Sequence, residues 1–415
     1  MTTTTMPGVA TSHERRITTA LFAAGLTTFA SMYSAQALLP SLSSAFGATP
    51  ARAALAVSLT TGFLALAIVP VSALSSRIGR TRVMIGSAVT SAVIGLLLPF
   101  SPSLDVLLAG RALQGLALAG VPAVAMAYLA EEIGAEGLGA AMGIYVAGTS
   151  IGGLAGRVIP AVTLDLTSWR WAEAAVSVAA AACTVWFVRG LPESRGFQAR
   201  PAGIRTVLSD LGTPLRNPGL LALFGIAFVL MGAFVSVYNF LGYRLTEPPF
   251  ELPATVSGSV FLLYLAGTAA SAAAGRLADR LGRHRVLAAS VATMGLGLAL
   301  TIPNHLTAVI FGVLLCTAGF FGAHTVASAW VGSMATDNRG AASSLYLFSY
   351  YLGSAIIGGA AGIAYADAGW IGLAVCVATL ITIAAVLLCT LATRSRQTPR
   401  HLGTTPELPA RSQGA

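Results

Sequence analysis

Residues 275–285, GRLADRLGRHR, reappear in altered form 203 residues earlier as SALSSRIGRTR, residues 72–82. Both are short, arginine-rich turns set between long apolar stretches. Leu74, Arg77, Gly79, Arg80 and Arg82 fall on Leu277, Arg280, Gly282, Arg283 and Arg285, and Pro50 falls on Pro253, without a gap. A further echo, Phe29-x-Ser31-x-Tyr33, returns as Phe234-x-Ser236-x-Tyr238. A chain that repeats itself after about half its length is a duplication, and its two copies must fold into similar units.

The stretches around the turns decide what kind of unit this is. Apolar residues make up 55% of the 415 and charged residues 9%, where soluble domains carry roughly 25% charged residues. No soluble chain of this length could hide so much apolar surface, so the chain is a polytopic membrane protein with the lipid bilayer as its solvent. Its basic residues are all arginine. A net charge of +9 would point to nucleic acid only if it were clustered on a soluble face, and it is scattered over turns and tails. Cys183, Cys316, Cys376 and Cys389 lie inside apolar segments and read as packing residues, not disulfides or metal ligands. No G-x-x-x-x-G-K-[ST] loop is present, so ATP is not expected; no cofactor or metal is implied.

Twelve apolar segments are each near the ~20 residues that span a bilayer as helix: 17–39, 53–74, 83–100, 104–130, 138–163, 171–190, 219–243, 254–274, 286–302, 306–333, 341–366 and 370–393. The first has the look of a cleavable leader, with Arg15 and Arg16 before it and Ala35-x-Ala37 near its end. Its Phe29-x-Ser31-x-Tyr33 makes it a member of the repeat, so it is expected to stay. An even number of spans puts both termini on one side. With the termini inside, nineteen arginines are cytoplasmic and only Arg52, Arg170 and Arg244 are outside, leaving Arg111 and Arg157 within segments. The positive-inside bias therefore predicts cytoplasmic termini. The expected divisions are an N-tail (1–16), a six-helix half (17–190), a central cytoplasmic loop (191–218), a second half (219–393) and a C-tail (394–415).

The two turns resemble the loop signature of the major facilitator superfamily, G-x-x-x-D-R/K-x-G-R-R/K. The second copy has Gly275, Asp279, Arg280, Gly282 and Arg283, while the first keeps Arg77, Gly79 and Arg80 but has Ser72 and Ser76 for the glycine and aspartate. The resemblance implies an all-α protein of twelve transmembrane helices in two pseudo-symmetric halves. RALQGLALAGVPAVAMAYLAEE, residues 111–132, looks most like bacterial efflux permeases of the sugar- and drug-exporter type. The implied function is secondary transport of a small organic molecule by alternating access, coupled to protons, by a monomer in the cytoplasmic membrane. Uniport or import of a metabolite stays open. An enzyme would need a reactive constellation and a sensor a soluble output domain; the sequence has neither.

Candidate site residues follow from depth and chemistry. Arg111, Gln114 and Gly115 match the superfamily's R-x-x-Q-G signature, and the resemblance places that arginine in the central cavity. A charge at bilayer depth is a functional candidate by default, although an arginine can also tether neighbouring helices. His324, midway along the tenth segment, could carry a proton or simply bond another helix. Tyr33, Gln36, Tyr238 and Asn239 could line the cavity or lie among interfacial aromatics. No Asp or Glu is expected deep in segments 1, 4, 7 or 10; Glu173 is the nearest, and the roles of Glu173 and Arg157 stay open. Gly148, Gly152 and Gly156 recur every four residues, echoed by Ser354, Gly358 and Gly362, a spacing for close helix packing. They resemble the antiporter signature G-x-x-x-G-P-x-x-G-G, but Gly153 and Arg157 break it. In the family the turn aspartates sit at helix starts of the opposite half, so Asp279 is expected near 138–141 and the weaker Ser76 near 341–344.

Overall fold

The computed structural model describes residues 12–133, 135–194, 204–335 and 339–397. The remaining parts of the expected N-tail, central loop and C-tail lie outside the described residues. The described chain is α-helical throughout, with short 3-10 turns. The twelve spans are α1 (Ser12–Tyr33), α2 (Pro50–Ile78), α3 (Arg80–Phe100), α4 (Leu104–Glu132), α5 (Ala135–Leu164), α6 (Trp169–Gly190), α7 (Pro218–Thr246), α8 (Ala254–Leu281), α9 (Arg283–Leu300), α10 (Leu306–Met334), α11 (339–367) and α12 (370–397). We call the side that holds the start of α1 and the end of α12 the tail side, and the other the far side.

Local chemistry explains the breaks. Pro122 has no N–H to give Leu118, so α4 is interrupted at Ala119. Ala368 and Gly369 leave helical geometry and separate α11 from α12. The two arginine turns reverse the chain on Gly79 (φ 107°) and Gly282 (φ 89°), a backbone that side chains rarely adopt. Most helices run a few residues past the segments read from the sequence, α2 to Ile78 and α8 to Leu281, and two regions differ more. The first segment begins at Ser12 and continues beyond Tyr33 through a 3-10 turn and a short helix to Phe46. The central loop contains a helix, Ile204–Leu215, which its four prolines obscured.

The two halves are built alike. α1 packs on α5 as α7 packs on α11, and α3 on α6 as α9 on α12. Between the halves, α2 lies along α11 and α5 meets α8. The α1–α5 contact needs its glycines: a Cβ at Gly148, Gly152 or Gly156 would lie 2.4, 2.5 or 2.4 Å from the carbonyl oxygens of Phe22, Leu26 and Ala30. The echo on α11 divides its task. Gly358 packs on Val235 of α7, Gly362 on Ala51 of α2, and Ser354 hydrogen-bonds Thr61 of α2 at 3.3 Å.

Gly152→Ala should therefore cost about 1–3 kcal/mol, since its methyl meets backbone that cannot yield. Gly143→Ala, on the same helix with open space around it, should be stabilising by about 0.5–1 kcal/mol. Unfolding of the purified variants in detergent measures both; equal melting points would contradict the packing account.

Candidate functional site

Arg111 does not line the central cavity. It is 1% exposed and paired with Glu173 of α6, itself 3% exposed, at 3.2 Å. Its Nη1 donates to the Ser31 carbonyl (3.0 Å) and Gln114 Oε1 (2.9 Å), and its Nη2 to Ser34 Oγ (2.5 Å). Ser34 Oγ also donates to Glu173, and Gln114 Nε2 to the Ser91 carbonyl. The expected cavity arginine without an acid is thus corrected: it is a neutralised tie among α1, α3, α4 and α6 of one half. Glu173 lies 62 residues away in sequence, and only folding brings it to Arg111.

The cavity belongs to Arg157. A space of about 140 Å³ opens between the halves, lined by Tyr33 of α1, Thr149 and Arg157 of α5, Phe234 of α7, Tyr264 of α8 and Tyr350 of α11, among others. Arg157 is 2% exposed. The faces of Tyr33 and Tyr264 hold its guanidinium at 3.9 and 4.4 Å. Its Nε donates to Gln36 Oε1 at 2.6 Å and its Nη1 to the Gly153 carbonyl at 2.7 Å. Gln36 Nε2 in turn donates to Asn239 Oδ1 at 2.7 Å, and Asn239 Nδ2 to the Gly358 carbonyl at 3.2 Å. One chain of hydrogen bonds therefore runs from the cavity across both halves, through α5, the 3-10 turn after α1, α7 and α11.

The other candidates lie around this chain. Tyr238 is buried and shares a hydrogen bond with Thr317 of α10 (2.7 Å), stacking on Phe261. Gln36 and Asn239 are likewise buried, so none of the three is an interfacial group. His324 sits on the α10–α11 contact, its Nδ1 3.0 Å from the Tyr346 hydroxyl, with Phe320 stacked and Tyr350 tilted against its ring. Tyr350 faces both this histidine and the Arg157 cavity.

The far side is closed over the cavity. Beyond the Gln36–Asn239 bond, the Tyr243 hydroxyl donates to the Leu39 carbonyl at 2.8 Å, and Ala161 of α5 leaves no room for a side chain at Gly258 of α8. The start of α8 lacks its own cap: Thr49 caps α2 by accepting from Arg52 N, but the residue 203 positions later is Leu252. Asp165, just past α5, supplies the cap from the other half, accepting from Ala254 N and Thr255 N at 2.8 Å each. Slight burial raises its pKa, but the bonds from Thr255 and Ala254 outweigh this and hold it below the ordinary value. Closure gains from the carboxylate above that ordinary value, and the gain is lost as pH falls through the lowered one.

On the tail side, neither Ser76 nor Asp279 makes the expected contact with the opposite half. Asp279 is exposed and hydrogen-bonds no described residue, so the expected contact with 138–141 is not made. Ser76 Oγ turns back to the Ala73 carbonyl (2.7 Å) instead of reaching 341–344. Two of the turn arginines hold their own halves: Arg80 pairs with Glu131 at 2.9 Å, and Arg283 hydrogen-bonds Ser333. Gly275 and Arg280 lie on α8 at the same turn.

This arrangement, two duplicated six-helix halves around a shared cavity sealed on one side, defines a polytopic transporter fold. The profile of the Major Facilitator Superfamily matches residues 21–267 and 249–413, and the chain belongs to that superfamily. It is 42% identical over 369 residues to the inner membrane transport protein YnfM of Escherichia coli (strain K12), covering 89% of this chain and 88% of that one. It is 38% identical over 370 residues to the uncharacterized MFS-type transporter YybF of Bacillus subtilis (strain 168), covering 89% and 92%. Among solved structures, a bacterial homolog of the human lysosomal transporter Spinster, inward-facing and unoccupied, superposes with a TM-score of 0.75 at 12% identity over 94% of this chain and 98% of that one.

If Arg111 and Glu173 form a structural tie, breaking it should leave a charge buried alone. Arg111→Ala or Glu173→Gln should each destabilise by ~3–5 kcal/mol, while Arg111→Met with Glu173→Leu recovers most of the loss. Thermal unfolding in detergent reads this. Single variants as stable as the parent chain would contradict the assignment.

Proposed function

We propose that the protein is a secondary transporter that carries a small organic molecule across the cytoplasmic membrane by alternating access, exporting it in exchange for protons. The observation that carries this reading is the cavity between the halves, sealed on the far side by Gln36–Asn239 and Asp165. On the tail side, Ser76 and Asp279 form no hydrogen bond with the opposite half. A central cavity bonded shut on the far side corresponds to one of the two states that alternating access requires. The surplus of tail-side arginines supports a cytoplasmic tail side, so the cavity faces the cytoplasm in this state. The name of its relative YnfM, an inner membrane transport protein, supports the membrane assignment. One chain supplies both halves, which supports a monomer.

His324 is the proposed proton-handling group. It lies deep in the C-terminal half, it is bonded to the Tyr346 hydroxyl, and it shares Tyr350 with the cavity. Histidine can take up and give back a proton under physiological conditions.

Purified protein in liposomes tests the reading against a panel of sugars, cationic drugs and carboxylates, with protein-free vesicles as background. Exchange predicts that at least one solute accumulates in vesicles with an acidic interior and not when the gradient is reversed. His324→Gln should abolish that dependence while solute counterflow persists. Accumulation under the reversed gradient would make the protein an importer. Wild-type gradient dependence in His324→Gln would remove the histidine from coupling.

A further inference from the structure

We propose that the central cavity recognises a small organic monoanion, a carboxylate on an apolar or aromatic body, through Arg157. The inference rests on the transport reading for its biological meaning, but its argument is electrostatic. The two most buried arginines have opposite surroundings. Arg111 has its counter-ion in Glu173. Arg157 has none: among the described residues no carboxylate lies within ion-pair distance, and its acceptors, Gln36 Oε1 and the Gly153 carbonyl, are both neutral. Its other polar neighbours, the Tyr33 and Tyr264 hydroxyls, are neutral as well, and the side chain lines the cavity. Burying a cation with neutral partners is unfavourable unless an anion completes the site.

The geometry selects the anion. Tyr33 and Tyr264 fix the guanidinium plane, and a planar fork of N–H groups matches the two oxygens of a carboxylate. One cation suits a single negative charge; a phosphate dianion would call for more. Apart from the hydroxyls of Thr149, Ser150 and Thr268, the rest of the lining is mainly apolar or aromatic, including Phe29, Leu154, Met231, Phe234 and Phe321, which fits a largely hydrocarbon body. A cationic drug would meet like charge there, with no acid to hold it. A sugar would leave the guanidinium without its counter-ion.

Thermal-shift titration of the full-length protein in detergent tests this with matched probes. Acetate, phenylacetate and indole-3-acetate are each compared with the corresponding amide; phenethylammonium and inorganic phosphate complete the set. At least one carboxylate should bind tenfold or more tighter than its amide and tighter than phosphate, and phenethylammonium should bind weakest. Arg157→Gln should erase the carboxylate preference while keeping the amide's affinity; Arg157→Lys, which keeps the charge but loses the fork, should retain part of it. No preference in any of the three pairs, tighter phosphate or ammonium binding, or an undiminished preference in both variants would overturn the proposal. Counterflow of the preferred carboxylate in liposomes separates the two readings. Charge-selective binding without flux would overturn transport and support anion recognition, whereas flux without charge selection would do the reverse.

Discussion

Inside a bilayer a polar atom has no water to fall back on, so every buried donor and charge must be answered by the protein or its ligand. That constraint organises this molecule. The Arg111–Glu173 pair, with Ser34 and Gln114 around it, is answered completely and binds four helices of the N-terminal half together. Arg157 is answered only in part, and its partial answer, Gln36, is the residue that crosses to the other half. A charge-assisted hydrogen bond is worth about 1.5–3 kcal/mol. Whatever takes hold of Arg157 therefore competes with, or reinforces, the bond that helps to close the far side.

The duplication supplies the frame, and departures from it supply the function. The arginine turns and the helix pairings repeat in both halves. Arg157 does not: Ile363 stands where Gly156 and Gly362 place its counterpart. The missing cap on α8 is another departure, and there the N-terminal half lends Asp165 across the boundary. The carboxylate-on-helix-start contact expected of the tail-side turns thus occurs on the far side, where the gate is shut.

Much of this was legible in the sequence. Twelve apolar segments, the 203-residue offset and the turn signature fixed the number of spans and their grouping, because membrane helices must be long, apolar and internally bonded. Gln36, Asn239, Tyr33 and Tyr238 were recognisable as polar or aromatic groups at depth, but not as a bonded chain. Arg111 drew attention because it fits a known signature, and Arg157 escaped it because it breaks one; its depth, directly after a row of glycines, was the available signal. Glu173 read only as the nearest acid because the continuation of the first segment beyond Tyr33, which brings Ser34 to it, is not apparent in sequence. Asp165 could have been found only by asking what caps α8 once Leu252 replaces the threonine.

The central claim is that Gln36 ties the cavity cation to far-side closure. Nitroxide labels at the exposed far-side positions Phe100, at the end of α3, and Ile371, at the start of α12, would report the separation of the halves by pulsed electron paramagnetic resonance. The background would have its four native cysteines replaced. Gln36→Leu removes both links of the tie at nearly constant volume, and the account predicts a new population at longer distance than in the parent chain. An unchanged distance distribution would contradict it.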